Sequence, residues 1–304
     1  MDLKYSTNNN GETYLKLKIG SQTYTLRGYS RAGLKTSILV DELNIGFDMG
    51  YSSERSFSFD NKLISHGHTD HIGALHYDHC ARKLFKLNRD KLFIMPRQCV
   101  KPFRMITTAI SEMNCGKPGE SIKIFTHLLE TNIVESEDCE NNYQSLINSE
   151  YVVKSFIMDH KIKSYGYIVY RKSNKLKKEF QNLPTNEIIN LKHEIGVKNI
   201  TDICYTPLVG YTGDTTIYGV IQYPEFLNVP LLIMECTGFK LDEISDCINN
   251  KHTHWNDIIN YHELFQNEKI VLIHFSQQYK IIDDIIQITQ ESPIELLNKI
   301  IYFF

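Results

Sequence analysis

The pattern of apolar and polar residues along the chain predicts a protein built around β-sheets. Between residues 13 and 27 the two kinds alternate, which indicates a hairpin that turns at Gly20 and Ser21. Continuous apolar runs predict inner strands at residues 37–40, 63–65, 92–96, 121–125, 151–158, 208–213, 229–234, 269–273 and 300–304. Helical spacing of apolar residues predicts helices at residues 70–87, 101–113, 186–193 and 281–289. No linker, repeat or low-complexity block separates these elements, so we predict one domain over residues 1–304.

Residues that can bind a metal or move a proton follow several of the predicted strands. They are His160, Asp214, Glu235 and His274. Active sites of sheet-based α/β proteins collect at the carboxyl ends of strands. We therefore expect these side chains to share one pocket.

The densest polar group is the segment 66–71, HGHTDH, which follows the apolar run 63–65 and begins a helical pattern. His66 and His68 are two residues apart and can point to one side, while Asp70 and His71 add an oxygen and a further nitrogen. Such a group at the end of a buried strand needs partners, and zinc accepts this mixture of ligands. Asp70 is also placed to cap the following helix. The segment predicts a metal site.

The separate residues are sufficient to fill two metal sites. His66, His68 and His160 form a set of three imidazoles, and Asp70, His71 and His274 form a second set, with Asp214 able to bridge the two. We expect two zinc ions per chain, with manganese or magnesium as alternatives. Asp70 would also orient the attacking water.

A carboxylate paired with a histidine is suited to donate a proton to a leaving group. Glu235 is the candidate carboxylate, and His252 and His254 compete for the role of the histidine. A helix follows His254, with Thr253 or Asn256 as the expected cap.

The charge of the chain gives no overall nucleic-acid signature, because the net charge is −3 and the pI is near 6.5. Residues 161–178 nevertheless contain seven Lys or Arg residues and no acidic one. This run is either a solvated face or a surface for a phosphodiester substrate.

Two further groups of polar residues are interpreted as lying outside the active site. Residues 130–140 are acidic and predict a solvated loop. We interpret His76, His79 and His127 as residues outside the active site.

The cysteines and the N-terminus favour an intracellular protein. Seven dispersed cysteines without a CxxC pair are typical of reduced thiols. The first residues lack the features of a signal peptide, and no apolar run approaches the roughly 18 residues that span a bilayer. We expect a cytoplasmic protein with no membrane segment, and the nucleus is the alternative location.

Several segments together resemble a known family. HxHxDH after a strand is typical of the metallo-β-lactamase fold. The segments SRAGLKTS, FDMG, YGYIVY, YTGDT, LIMECT and VLIHFSQQY resemble the short, plant-type ribonuclease Z in order and spacing. The resemblance runs from about Tyr29 to the C-terminus. It implies an α/β fold, the four-layer αβ/βα metallo-β-lactamase sandwich, with two mixed sheets flanked by helices.

The resemblance also implies a function. Ribonuclease Z is a zinc-dependent endoribonuclease that cuts precursor tRNA 3′ of the discriminator nucleotide and leaves a 3′-hydroxyl. In that family a Glu–His pair donates the proton, which corresponds to Glu235 and His252, and an aspartate matching Asp48 steadies the histidine loop. The family forms homodimers in which a basic arm of one subunit grips tRNA. The corresponding insertion here, residues 171–207, is short and basic and lacks the Gly-x-Pro element of bacterial arms.

Two other functions fit parts of the pattern. Another binuclear zinc hydrolase of the same fold, such as a phosphodiesterase, lactonase or thioesterase, would use the same metal residues. A non-catalytic protein of this fold that binds RNA or a partner would be expected to have lost a metal-binding residue. None of the metal-binding residues is missing from this sequence. The Glu235/His252 pair and the basic segment favour the nuclease.

Overall fold

The computed structural model describes residues 5–7, 11–84, 91–115, 133–147 and 149–304, which form two β-sheets. The first sheet has eight strands in chain order: β1 Tyr5–Thr7, β2 Thr13–Ile19, β3 Gln22–Arg31, β4 Lys35–Val40, β5 Ile45–Phe47, β6 Asn61–Leu63, β7 Leu92–Met95 and β8 Ile133–Glu135. The second has seven: β9 Gln144–Ser145, β10 Tyr151–Met158, β11 Ser164–Leu176, β12 Thr201–Tyr211, β13 Leu231–Glu235, β14 Lys269–Ile273 and β15 Ile300–Tyr302.

Both sheets are mixed. Strands β1 to β5 are antiparallel and β5 to β8 are parallel. In the second sheet, β9 to β12 are antiparallel and β12 to β15 are parallel. Because parallel strands end at one edge of a sheet, the loops after β6, β12, β13 and β14 are available to form a common site.

Eleven α-helices lie in the part of the chain that the structure describes. They are α1 Thr69–Ile72, α2 Leu75–Leu84, α3 Arg97–Cys115, α4 Thr185–Glu194, α5 Val197–Ile200, α6 Ile217–Ile221, α7 Pro224–Asn228, α8 Ile244–Asn250, α9 Trp255–Asn260, α10 Ile282–Thr289 and α11 Ile294–Leu297. Short 3₁₀ helices occur at Asp41–Leu43, Glu54–Ser58, Ser136–Cys139, Lys178–Phe180, Leu241–Glu243 and His262–Leu264. None of these helices is long and apolar enough to cross a membrane.

Three buried clusters define the layers. The central cluster joins residues of both sheets, and its Phe47 and Tyr211 rings stack with centroids 4.6 Å apart. A second cluster packs Trp255 of α9 and Ile285 of α10 against the other face of the second sheet. A third packs Phe103 of α3 against Phe93 of β7. Helices therefore cover the outer faces of two packed sheets, which confirms the predicted four-layer arrangement.

Most predicted strands are confirmed. The first hairpin turns at Gly20 and Ser21, since Ile19 pairs with Gln22. The strand predicted at residues 63–65 instead ends at Leu63; the Ile64 N–H still donates to the Ile94 carbonyl of β7 at 2.8 Å, and the chain turns to the second sheet at Ser65. The carbonyl of Ser65 accepts a hydrogen bond of 2.9 Å from the Tyr165 N–H, which belongs to the second sheet.

The region after the histidine loop differs from the prediction. The single helix expected at residues 70–87 is divided into α1 and α2, and residues 85–87 lie outside the described residues. Asp70 does not cap the helix: His68 occupies the N-cap position, without a side-chain capping bond. The Asp70 carboxylate instead accepts the Gly33 N–H at 2.8 Å, which points it away from the helix backbone.

The prediction of a solvated loop at residues 130–140 is wrong for residues 133–140, and residues 130–132 lie outside the described residues. Ile133–Glu135 forms β8, and the following Ser136 and Cys139 are buried. The strand predicted at residues 121–125 and His127 lie outside the described residues. His79 is buried beside Phe93 and Phe103, as expected for a structural residue.

The basic insertion 171–207 forms an arm, which we define as the paired ends of β11 and β12 with α4 and α5. Arg171 to Leu176 pair with Thr206 to Thr201, beyond the buried part of the sheet. The predicted helix at residues 186–193 is confirmed as α4 and has no buried residue. Lys172, Lys175 and Lys178 of the arm are exposed.

Candidate metal centre and active site

All the predicted metal-binding residues meet at one end of the two sheets, after parallel strands and after β10, whose neighbours β9 and β11 are both antiparallel to it. The histidine loop follows β6, His160 follows β10, Asp214 follows β12 and His274 follows β14. Among the described residues, three groups have ligand atoms within 4.8 Å of one another: His66, His68, His160 and Asp214; Asp70, His71 and His274; and Asp214, His252 and His274. The structure thus brings the predicted sites together, and their role as ligands remains a prediction.

The first group contains three imidazoles in addition to Asp214. Nδ1 of His68 lies 2.9 Å from Nε2 of His66 and 3.3 Å from Nε2 of His160. Burial lowers the pKa of all three histidines. They are therefore neutral at neutral pH, which is the form that binds a metal.

The second group combines a carboxylate with two imidazoles. Nε2 of His71 lies 3.3 Å from Nε2 of His274, and Oδ2 of Asp70 lies 3.5 Å from both nitrogens. Burial lowers the pKa of His71, but the charges of Asp214 and Asp48 outweigh burial and raise it well above its ordinary value. This position therefore favours positive charge.

Asp214 lies between the two groups. Its Oδ2 is 3.3 Å from Nε2 of His71, 3.4 Å from Nε2 of His274 and 3.7 Å from Nε2 of His66. Gly213, just before it, has φ of +61°, and a Cβ at this position would lie 2.5 Å from the Cβ of Ser65. Glycine therefore allows the end of β12 to approach the histidine loop closely.

The hydrogen-bond partners of the ring nitrogens indicate that these residues fit a metal. Nδ1 of His71 is 2.7 Å from an Asp48 oxygen, and Nδ1 of His160 is 3.1 Å from the Lys251 carbonyl. Both partners only accept hydrogen bonds, so each Nδ1 carries the ring proton and each Nε2 of the neutral ring presents a lone pair to the cluster. With neutral rings, lone pairs and carboxylate oxygens face one another at about 3.3 Å, so this position favours a positive charge that either a proton on His71 or a bound cation can supply.

Asp48 supports the histidine loop from behind. It is fully buried and accepts hydrogen bonds from the Ser65 N–H, the Ser65 hydroxyl and the Tyr211 hydroxyl in addition to His71. The resemblance to ribonuclease Z implied this steadying role for Asp48. Ring orientation fixed in this way preserves ligand geometry in metal sites.

Strained backbone is concentrated at the site. Four non-glycine residues of the described chain have positive φ: Asn44, Asp48, Lys251 and His274. Asp48 holds His71, Lys251 holds His160 through its carbonyl, and His274 belongs to the second group. Such conformations cost about 1–3 kcal/mol each and persist where surrounding contacts fix them, as at functional sites.

Glu235 and His252 form the predicted proton-donor pair. Nδ1 of His252 lies 2.8 Å from Oε1 of Glu235, which also accepts the Thr215 N–H at 2.8 Å. Burial lowers the pKa of His252, but the charge and hydrogen bond of Glu235 outweigh burial and raise it to about 9. His252 is therefore protonated at neutral pH, and its side chain is 16% exposed.

His254 has a different role. It is buried, its Nδ1 accepts the Asn256 N–H at 3.1 Å, and its Nε2 lies 2.9 Å from the Lys240 carbonyl. His254 is thus the N-cap of α9, and the predicted caps Thr253 and Asn256 are wrong. Because both ring nitrogens of His254 contact backbone, the geometry favours His252 as the proton donor.

A cavity adjoins the histidine loop at Gly67 and Thr69. Its volume is 820 Å³, and apolar side chains including Phe103, Ile106 and Ile162 line most of it. Lys163 lies on its wall. A pocket large enough for part of a substrate therefore lies beside the histidine loop, although none of the predicted ligands is among its lining residues.

Comparison with known proteins identifies the family. No family model matches the sequence. The chain is 35% identical over 262 residues to tRNase Z TRZ1 of Arabidopsis thaliana, and the alignment covers 85% of this chain and 87% of the relative. The chain belongs to the tRNase Z family. The chloroplastic tRNase Z TRZ2 of the same plant is 27% identical over 286 residues, covering 92% of this chain and 73% of that protein.

Solved structures show the fold of the tRNase Z family. The short form of human tRNase Z has a TM-score of 0.54 at 16% identity, with 91% of this chain and 95% of that chain covered. The metallo-beta-lactamase fold protein YhfI of Bacillus subtilis has a TM-score of 0.56 at 12% identity, with 90% and 92% covered. These matches confirm the predicted metallo-β-lactamase sandwich.

The sequence analysis missed the polar residues that connect the site residues. Ser65, Tyr211 and Thr237 each contact a ligand ring or a supporting carboxylate. Each lies within three residues of a predicted site residue in the chain. Closeness in sequence to a predicted site residue was the only indication that these residues belong to the site. It does not show in which direction a side chain points.

Proposed function

We propose that this chain removes 3′ trailers from precursor tRNA, cutting 3′ of the discriminator nucleotide and leaving a 3′-hydroxyl. The observation that carries the proposal is the His252 ring, whose Nδ1 lies 2.8 Å from Oε1 of Glu235 beside the candidate metal centre. A ribose 3′-oxygen is a poor leaving group and needs a proton. The tRNA substrate is proposed from membership of the tRNase Z family.

The metal is proposed as two zinc ions per chain. His66, His68 and His160 would hold one ion, Asp70, His71 and His274 the other, and Asp214 would contact both. Zinc bound there supplies Lewis acidity, which activates water near neutral pH and offsets the negative charge of a phosphodiester.

Asp70 is proposed to orient the attacking water. Its side chain is 12% exposed, whereas the side chains of Asp214 and Glu235 are 3% and 0% exposed. Neighbouring His274 and His71 outweigh burial and hold the pKa of Asp70 far below its ordinary value. Asp70 is therefore an ionised acceptor that water can reach.

His252 is proposed to protonate the leaving oxygen. Its Nδ1 proton is held by Glu235, so the proton on Nε2 is the one available for transfer. When the bond between phosphorus and the 3′-oxygen breaks, that proton completes the 3′-hydroxyl. The phosphate stays on the trailer.

The arm favours a large substrate over a small ester. Strand β11 begins at Ser164, whose hydroxyl donates to the Asp214 carbonyl, and ends in the arm at Leu176. The arm begins at Arg171 and the strand ends at Leu176, so this part of the arm lies roughly 20–40 Å from Ser164 along the strand. Exposed lysines at that distance suit a structured RNA that reaches both places.

We also propose a cytoplasmic homodimer, with the nucleus as the alternative location. The homodimer is supported by the resemblance to ribonuclease Z, in which the arm of one subunit holds the tRNA cut by the other. The exposed ribbon of β11 and β12 fits such an arm in position.

A cleavage assay tests the proposed function. The purified chain is incubated with a tRNA precursor that carries a 3′ trailer, and the product ends are mapped. We expect a single cut after the discriminator nucleotide, with a 3′-hydroxyl on the tRNA and a 5′-phosphate on the trailer. Efficient hydrolysis of a lactone or thioester without cleavage of the precursor would instead identify another hydrolase of this fold.

A further inference from the structure

The Thr237 hydroxyl lies between the proton-donor pair and the second metal-binding group. Its Oγ1 is 2.7 Å from Oε2 of Glu235 and 3.0 Å from Nδ1 of His274. We propose that Thr237 is a positioning residue that fixes the ring proton and the ring orientation of His274. Glu235 then orients two histidines: His252 by direct contact, and His274 of the second metal-binding group through the Thr237 hydroxyl. The metal-binding groups themselves rest on the proposed function above.

The backbone holds Thr237 at this place from both sides. Its N–H donates to the Thr253 carbonyl at 3.0 Å, next to His252. Its carbonyl accepts the Ser276 N–H at 3.0 Å, two residues after His274. The hydroxyl is therefore fixed relative to both loops that it joins.

The direction of the hydrogen bonds follows from the groups involved. A carboxylate only accepts, so the single hydroxyl proton of Thr237 is donated to Glu235. The hydroxyl can then only accept from His274, which places the ring proton on Nδ1. Nε2 of His274 is left with its lone pair toward the cluster, where it lies 3.4 Å from Asp214 and 3.5 Å from Asp70.

The same arrangement occurs a second time in the site. The Ser65 hydroxyl is 2.8 Å from Asp48 and 2.9 Å from Nδ1 of His66. By the same reasoning it donates to Asp48 and accepts from His66. Asp48 also contacts His71 directly, just as Glu235 contacts His252 directly. Each buried carboxylate thus orients one histidine itself and another through a hydroxyl.

Zinc affinity, measured without RNA, tests the role of Thr237. We compare wild type, Thr237→Val and Thr237→Ser by competition with a zinc chelator. Valine has the shape of threonine without the hydroxyl, so Thr237→Val is expected to weaken the binding of one of the two ions by about 10- to 100-fold. Serine keeps the hydroxyl, and Thr237→Ser is expected to bind both ions nearly as the wild type does.

A matched variant controls for the loss of a threonine hydroxyl near the site. Thr253 is fully buried, whereas Thr237 is partly buried, and the Thr253 hydroxyl donates to the Thr215 carbonyl. Thr253→Val is therefore expected to keep wild-type zinc affinity. If Thr237→Val does not fold, as judged by thermal unfolding of the metal-free protein, Thr237→Ala replaces it with the same expectation.

Wild-type zinc affinity in Thr237→Val, or the same loss in Thr237→Ser, would overturn the inference. Because the probe is zinc alone, this result is independent of whether the wild type cleaves a tRNA precursor. A wild type that binds two zinc ions without cleaving RNA would contradict the proposed function. The role of Thr237 would still be decided by the zinc affinities of the Thr237 variants.

Discussion

Asp70→Ala is expected to lower the rate of precursor cleavage by at least about 10³-fold. The substitution removes the only carboxylate of the group Asp70, His71 and His274, and this carboxylate is also exposed to water. We expect the variant to fold, since the only protein hydrogen-bond donor to Asp70 outside the two histidines, among the described residues, is the Gly33 N–H. Single-turnover kinetics with circular dichroism measure both properties.

Asp159→Ala is the matched control for Asp70→Ala. Asp159 also stands next to a predicted ligand, but its carboxylate bonds to Lys251 at 2.7 Å and to Thr216 at 2.8 Å, away from the cluster. This variant is expected to keep most of its activity. Normal trimming of a tRNA precursor by Asp70→Ala would refute the proposed role of Asp70.

His252→Ala is expected to lower cleavage of precursor tRNA by about 10²- to 10⁴-fold, because the 3′-oxygen then leaves without a proton. Bis(p-nitrophenyl) phosphate has a leaving group that needs no proton, so its hydrolysis is expected to change little. The measurement is the ratio of kcat/KM for the two substrates in wild type and variant. Glu235→Gln is expected to shift the ratio in the same direction.

His254→Asn controls for general damage to this loop. Asparagine can replace His254 as an N-cap, and His254 has no contact with Glu235 among the described bonds. This variant is expected to leave the substrate ratio unchanged. Equal losses on both substrates in His252→Ala would show that His252 does not donate the proton.

The residues of the site could be predicted because strand ends are visible in the sequence. Asp214 and His274 each follow an apolar run, and parallel strands bring such ends together whatever the length of the loops between them. His160 also follows an apolar run, and its strand β10 ends at the same edge because it is separated from β12 by one antiparallel strand, β11. The hairpin at Gly20 and Ser21 was equally clear, because alternation and turn residues agree there.

Side-chain directions could not be predicted in the same way. The sequence predicted Asp70 as a helix cap, but His68 occupies the N-cap position and the Asp70 carboxylate turns to Gly33 and the histidines. His254 caps α9 in place of the expected Thr253 or Asn256. The link from Glu235 through Thr237 to His274 joins residues up to 39 positions apart and exists only in the folded chain.

The central claim is that the separate side chains form one centre for two metal ions. The direct test removes metal from the purified chain with a chelator and returns zinc in steps, while cleavage of a tRNA precursor is followed. The account predicts no cleavage by the metal-free protein and a rise in activity that levels off at about two equivalents of zinc per chain. Undiminished cleavage by protein shown to contain no metal would contradict it.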